Sequence, residues 1–104
     1  YSHAFRKGAI LASGDNVKNG LYTEEDITPR DASAQERELG DQVINFITRK
    51  FSQKPLYARV DVVRGAQGVP VVMEVELAEP SLYVHLDHDA PARFASAVVA
   101  ATRK

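Results

Sequence analysis

"LYARVDVVRGAQGVPVVMEVELAEPSL", residues 56–82, decides the fold. Two β-branched runs, 57–64 and 69–77, flank the turn-prone Gly65-Ala66-Gln67-Gly68, a pattern that predicts an antiparallel hairpin. Strand alternation puts Tyr57, Arg59, Asp61 and Val63 on one face of the first run and Ala58, Val60 and Val62 on the other. On the second run Val72, Glu74 and Glu76 share a face, opposite Val71, Met73, Val75 and Leu77. A tight turn centred on Ala66 and Gln67 pairs Arg59 with Glu74 and Asp61 with Val72. The charged faces then coincide, with Asp61 diagonal to Glu74 at roughly 7 Å. A slip of one residue would separate them.

Three neighbouring carboxylates repel one another, and a single arginine offsets only part of that charge. Two readings follow. A divalent cation could complete the neutralisation; oxygen ligands without Cys or nearby His favour hard ions, Mg²⁺ or Mn²⁺, which fill their shells with water and substrate phosphates. Alternatively, Arg59 and Glu74 form a cross-strand ion pair on a solvated face and the other acids stand in water.

Upstream, Ser33-x-x-Glu36 is a capping box, and Leu39, Val43, Phe46, Ile47 and Phe51 recur at helical spacing, predicting a helix over about 34–52 that packs on the sheet and is ended by Pro55. Downstream, Asp89 as cap, Pro91 in the first turn, and Phe94, Val98 and Ala101 along one face predict a second helix over about 90–102. Tyr1 to Leu11 contains a strand leading to Arg6-Lys7. Gly8, Gly14 and Gly20, with Asp15, Asn16 and Asn19, make 12–30 mostly loop. The fold class expected is α+β, an antiparallel sheet with two packing helices.

The 104 residues suit one small domain, and 44% hydrophobic residues suit a compact core. A net charge of −1 gives no general pull on nucleic acid or anionic membranes, so neither is expected as a partner. The absence of cysteine excludes disulfides, thiolate metal sites and cysteine nucleophiles. With no span-length apolar run and no signal-peptide pattern, a cytoplasmic location is expected. Tyr1 stands where an initiating Met would be, so the chain reads as a piece of a longer protein.

Arg59-Val60-Asp61, followed by Glu74 thirteen positions after Asp61 and then Glu76, resembles the C-terminal metal-binding hairpin of ATP-grasp ligases. The usual family motif is Asp, then Glu-x-Asn. Here Glu76 holds the asparagine position, as in glutathione-synthetase-like members, where Glu-Pro-Ser-Leu follows as it does at Glu79 to Leu82. "YSHAFRK", residues 1–7, is similar to the strand those enzymes place before a glycine-containing loop.

The resemblance implies that residues 1–104 form a C-terminal fragment of an ATP-grasp domain. The parent chain would join a small-molecule or peptide carboxylate to an amine or thiol through an acyl phosphate, using ATP and Mg²⁺ or Mn²⁺. By that resemblance Asp61 and Glu74 hold one metal ion, Glu74 and Glu76 a second, Arg59 steadies the γ-phosphate or acyl phosphate, and Lys7 lies near the phosphates. The partner of the fragment would be the remainder of its own chain, and the fragment alone would be inactive. The competing class is a non-catalytic α+β binding module, or a ligase-like domain that has lost catalysis.

Other polar features have plainer readings. His3 is expected to be a satisfied, partly buried histidine, and Lys7 by itself reads equally as an exposed lysine at a strand end. His85 to Asp89 joins a strand-like segment to a helix cap and does not specify a metal site. Glu24-Glu25-Asp26 reads as a solvated loop.

Overall fold

The computed structural model describes residues 1–8 and 26–103. In chain order these form β1 (Ala4–Lys7), β2 (Ile27–Arg30), α1 (Ala34–Phe51), β3 (Arg59–Arg64), β4 (Pro70–Glu76), a short 3₁₀ turn (Val84–Leu86) and α2 (Ala90–Thr102). The class is α+β. The antiparallel strands divide into two two-stranded sheets, β1 with β2 and β3 with β4. The expected loop over 12–30 contains a strand, β2, that its Pro29 concealed; Gly14, Asp15, Asn16, Asn19 and Gly20 lie outside the described residues.

Capping starts α1 as the sequence predicts. The Glu36 amide donates to Ser33 Oγ at 3.2 Å and the Ser33 amide donates to Glu36 Oε1 at 2.8 Å, so two otherwise orphaned donors are satisfied reciprocally. Its end differs from expectation. Ser52 turns left-handed at φ 55°, closing the helix three residues before Pro55. At α2, Pro91 lies in the first turn as expected, but the Asp89 side chain makes no capping bond. Asp87 instead braces the approach to the helix: its Oδ1 accepts from the Asp89 amide at 2.9 Å and from Arg93 Nη2 at 2.8 Å. Burial opposes the Asp87 charge, yet these hydrogen bonds and the field of Arg93 prevail and lower its pKa.

The hairpin register differs from the tight-turn expectation by two residues at its far end. Arg59 faces Glu76 and Asp61 faces Glu74, whereas nearer the loop Val62 faces Val72. Two causes act. The loop is wider than a two-residue turn, closed by Gly65 N–H to the Val69 carbonyl at 2.8 Å and by Gly68 at φ 75°, a conformation that favours glycine. In addition, Met73 is an extra, unpaired residue, a β-bulge that reverses the side-chain phase. Val72 therefore does not share the face of Glu74 and Glu76. With Val75 and Leu77 it borders an apolar groove against Leu39, Val43 and Phe46 of α1.

The core is thinner than the composition suggests. Among the described residues only Ile47 of α1 and Ala90 of α2 are buried hydrophobics, while Phe46 is 58% and Met73 63% exposed. Helix α1 rests on β3 and β4, and α2 rests on the 3₁₀ turn. Edge-to-face contacts of Phe5 with Tyr83 and of Tyr57 with Phe94 tie these parts together. A two-stranded ribbon covered by a single helix leaves much apolar surface uncovered, so hydrophobic content does not translate into burial. Among the described residues no helix is long and apolar enough to cross a membrane.

Candidate active site

The charged end of the hairpin is built around Arg59. On a strand, residues two apart point the same way, so Asp61 lies beside it on β3 while the register brings Glu76 across from it on β4. The guanidinium grips both Asp61 oxygens, Nε to Oδ1 at 2.9 Å and Nη2 to Oδ2 at 3.1 Å. Nη2 also donates to Glu76 Oε1 at 3.1 Å, and Nη1 to the Ser81 carbonyl at 3.2 Å. The fork of a guanidinium suits this two-oxygen grip, and a lysine could not reproduce it.

Arg59 and Asp61 are nearly withdrawn from water, with side chains 11% and 12% exposed, whereas Glu76 is 29% exposed. Burial works against the Arg59 charge, but the hydrogen bond and field of Asp61, with the field of Glu76, outweigh it and raise its pKa. Removing one partner of so enclosed a pair would strand the other. Glu74, directly across from Asp61, is exposed on the solvent side of this cluster. The hairpin pairs these charges otherwise than the sequence predicts: Arg59 binds Asp61 and Glu76, not Glu74.

Both sheets hold the segment that follows β4. His3 Nε2 meets the Leu82 carbonyl at 2.7 Å and its Nδ1 meets Ser2 Oγ at 2.8 Å, so both ring nitrogens are satisfied, as expected. The Glu79 amide donates to the Tyr57 hydroxyl at 3.3 Å. Glu79 and Tyr83 both have left-handed backbones, φ 55° and 47°, rare for such residues and sustained here by these anchors.

Beside this segment lies a cavity of about 630 Å³, within the usual range for small-molecule sites. Lys7, Arg59 and Asp61 all line it; Glu74 and Glu76 do not. Arg93 of α2 and Arg30 of β2 also line it, basic residues that sequence reasoning missed because they are far apart in the chain and obey no spacing. Arg30 is bound to Glu36 at 3.0 Å and Arg93 to Ser2 Oγ at 3.1 Å, so each also joins separate elements.

The three carboxylates have the hard-oxygen chemistry of a Mg²⁺ or Mn²⁺ site, and direct opposition of Asp61 and Glu74 brings two of them closer than the diagonal expected. As arranged, Asp61 and Glu76 close on Arg59, and among the described residues no group of three acidic or histidine side chains is gathered as a metal site. The donor type suits such an ion; the arrangement described does not gather one. His85 to Asp89 leads from a 3₁₀ turn, not a strand, into α2, and Asp89 does not cap it: His88, 98% exposed, lies 3.4 Å from Asp89, while Asp87 Oδ1 accepts from the Asp89 amide. Asp26 is exposed, and Glu24 and Glu25 lie outside the described residues.

The chain is homologous to the cycloserine biosynthesis protein DcsG of Streptomyces lavendulae, with 38% identity over 100 residues, covering 94% of this chain and 33% of that protein. A crystal structure of D-cycloserine synthetase DcsG superposes with a TM-score of 0.81 at 34% identity, over 97% of this chain and 34% of the other. The chain thus spans about a third of the relative it matches. No family model matches it.

Proposed function

We propose that these residues are the C-terminal, metal-binding part of an ATP-grasp ligase, and that the parent protein joins a carboxylate to an amine or thiol through an acyl phosphate. The observation that carries this reading is the likeness, over 97% of this chain and 34% of the other, to D-cycloserine synthetase, in a chain whose hairpin carries Arg59, Asp61, Glu74 and Glu76. That relative also suggests a small-molecule substrate. The glutathione-synthetase-like pattern of Glu76 and Glu79 to Leu82 belongs to the same proposal.

In the first chemical step a substrate carboxylate oxygen attacks the γ-phosphorus of ATP while the bond to the ADP oxygen breaks. An amine or thiol then attacks the acyl carbon, and inorganic phosphate leaves. Both reactants of the first step are anionic, so their approach is costly without positive charge held in place. Asp61 and Glu74 would hold one Mg²⁺, and Glu74 and Glu76 a second; such ions, when bound, neutralise phosphate oxygens and orient the chain of phosphates. Arg59, fixed and always charged, would face the moving phosphoryl group. Lys7, on the same cavity wall, would meet the outer phosphates.

The test is a Mn²⁺ titration in the presence of an ATP analogue, comparing the full natural protein with its Glu74→Gln variant. Metal-dependent nucleotide binding should weaken at least roughly tenfold in the variant, since even partners that only support a metal's ligands are worth that much. Equal binding by both folded proteins would remove Glu74 from the site. Absence of binding in either would sink the ligase reading and return the hairpin to a structural ion pair.

A further inference from the structure

We infer that the apolar groove between α1 and β4 is a docking surface, and that its occupant is an apolar segment of the parent protein outside residues 1–104. This contact is independent of the proposed reaction and of the residues assigned to it. The groove has a volume of about 500 Å³, and apart from Gln42 its walls are apolar. Charged side chains are depleted from the centres of protein interfaces, whereas a helix face made for water carries them.

Two local features build the groove. Leu39, Val43 and Phe46 recur along one side of α1; Ile47, which also lines the groove, is buried, while Phe46 beside it stays 58% exposed, so the hairpin covers only part of the helix's apolar stripe. On β4, Val72 and Val75 are three apart, a spacing that plain alternation sends to opposite faces, and the bulge at Met73 brings both to the α1 side. Both valines are only partly covered there, and Leu77 is 39% exposed. A helix stripe and a bulged strand thus present one apolar surface that neither closes. An exposed patch of this kind marks an interaction site.

The length of the relative points to the occupant. This chain covers 33% of the DcsG sequence and 34% of the chain in its crystal structure, so a parent of that length has about two thirds of its polypeptide outside these residues. Polypeptide tethered to the groove meets it at an effective concentration on the order of millimolar, against the far lower free concentration of a second copy. The described residues also need such a contact, because Ile47 and Ala90 are their only buried hydrophobics.

The test uses the full natural protein with Phe46 replaced by the photoreactive aromatic p-benzoylphenylalanine. Irradiation should join position 46 to a peptide of the same chain outside residues 1–104, with the mass of the denatured chain unchanged. A product of doubled mass gives the groove to a second copy, and a folded variant linked only within residues 1–104, or not linked, leaves it open; each of these overturns the assignment. Should the variant not fold, hydroxyl-radical footprinting of wild type decides. Phe46 should be oxidised several-fold more slowly in native, monomeric protein than in the same protein unfolded in urea. A rate lowered no further than 58% exposure requires, or protection found only in an oligomer, rejects the docking. None of these outcomes bears on the Glu74→Gln test of the ligase reading.

Discussion

Glu36 shows how much one side chain can organise. It completes the capping box, accepts two hydrogen bonds from Arg30 at 3.0 and 3.2 Å, and lies 3.7 Å from Arg64 at the end of β3. Its pKa is lowered, chiefly by the Ser33 amide, against the opposing effect of burial and with help from the Ser33 side chain and both arginines. A carboxylate whose folded pKa is depressed contributes stability that is present above its ordinary value of 4.5 and disappears as pH falls through the folded value. Urea unfolding at pH 6 and pH 3 should therefore show a smaller acid-induced loss in Glu36→Gln than in wild type. Ser33→Ala should cost about 1 kcal/mol at neutral pH. Equal acid sensitivity of Glu36→Gln and wild type would remove Glu36 from the acid response. The capping box was legible because its spacing is local and its geometry is fixed. The ties to Arg30 and Arg64 were not, because ion pairs between distant elements leave no trace in spacing.

At the scale of elements, Met73 decides which face each half of β4 presents. Alternation alone correctly gave the side of Glu74 and Glu76, and it failed at Val72, because a single inserted residue reverses phase without altering composition. The helices were legible almost to their ends, since amphipathic periodicity and caps are intrinsic to the segment, whereas β2 was hidden by a proline that only an edge position tolerates. Deleting Met73 must force either the glutamates toward α1 or the valines away from it. That should cost at least about 2 kcal/mol in urea unfolding, the scale of misplacing a polar group. Met73→Ala, which keeps the residue count at a site 63% exposed, should cost less than about 1 kcal/mol. Similar costs for both would show that the bulge does not set the faces.

Across the whole molecule, apolar surface lies open where a compact domain would have buried it. The groove between α1 and β4 is bordered by Phe46, Val72, Val75 and Leu77, and only Ile47 and Ala90 are buried hydrophobics among the described residues. Residues 1–104 expressed by themselves should therefore bind the apolar dye ANS in a native-like state, and Phe46→Ser should lower that signal markedly while changing unfolding by less than about 1 kcal/mol. A dye signal insensitive to Phe46 would locate the open surface elsewhere. Hydrophobic content was visible in the sequence; its failure to close into a core was not, since closure depends on how the two ribbons and two helices meet.

The attachment of residues 79–83 has a consequence for how this protein can vary. Arg59 and His3 hold Ser81 and Leu82 by main-chain carbonyls, so the grip does not read which side chains those two positions carry. Ser81, exposed, is accordingly open to exchange, by natural drift or by a library of variants, without loosening the strap, whereas a change at His3 or Arg59 releases it. Glu79 and Tyr83 tolerate far less, except to glycine or asparagine, because their left-handed turns set the strap's course. A freely variable position of the segment thus lies between its two most restricted ones, and new contacts can be tried there while the scaffold stays fixed.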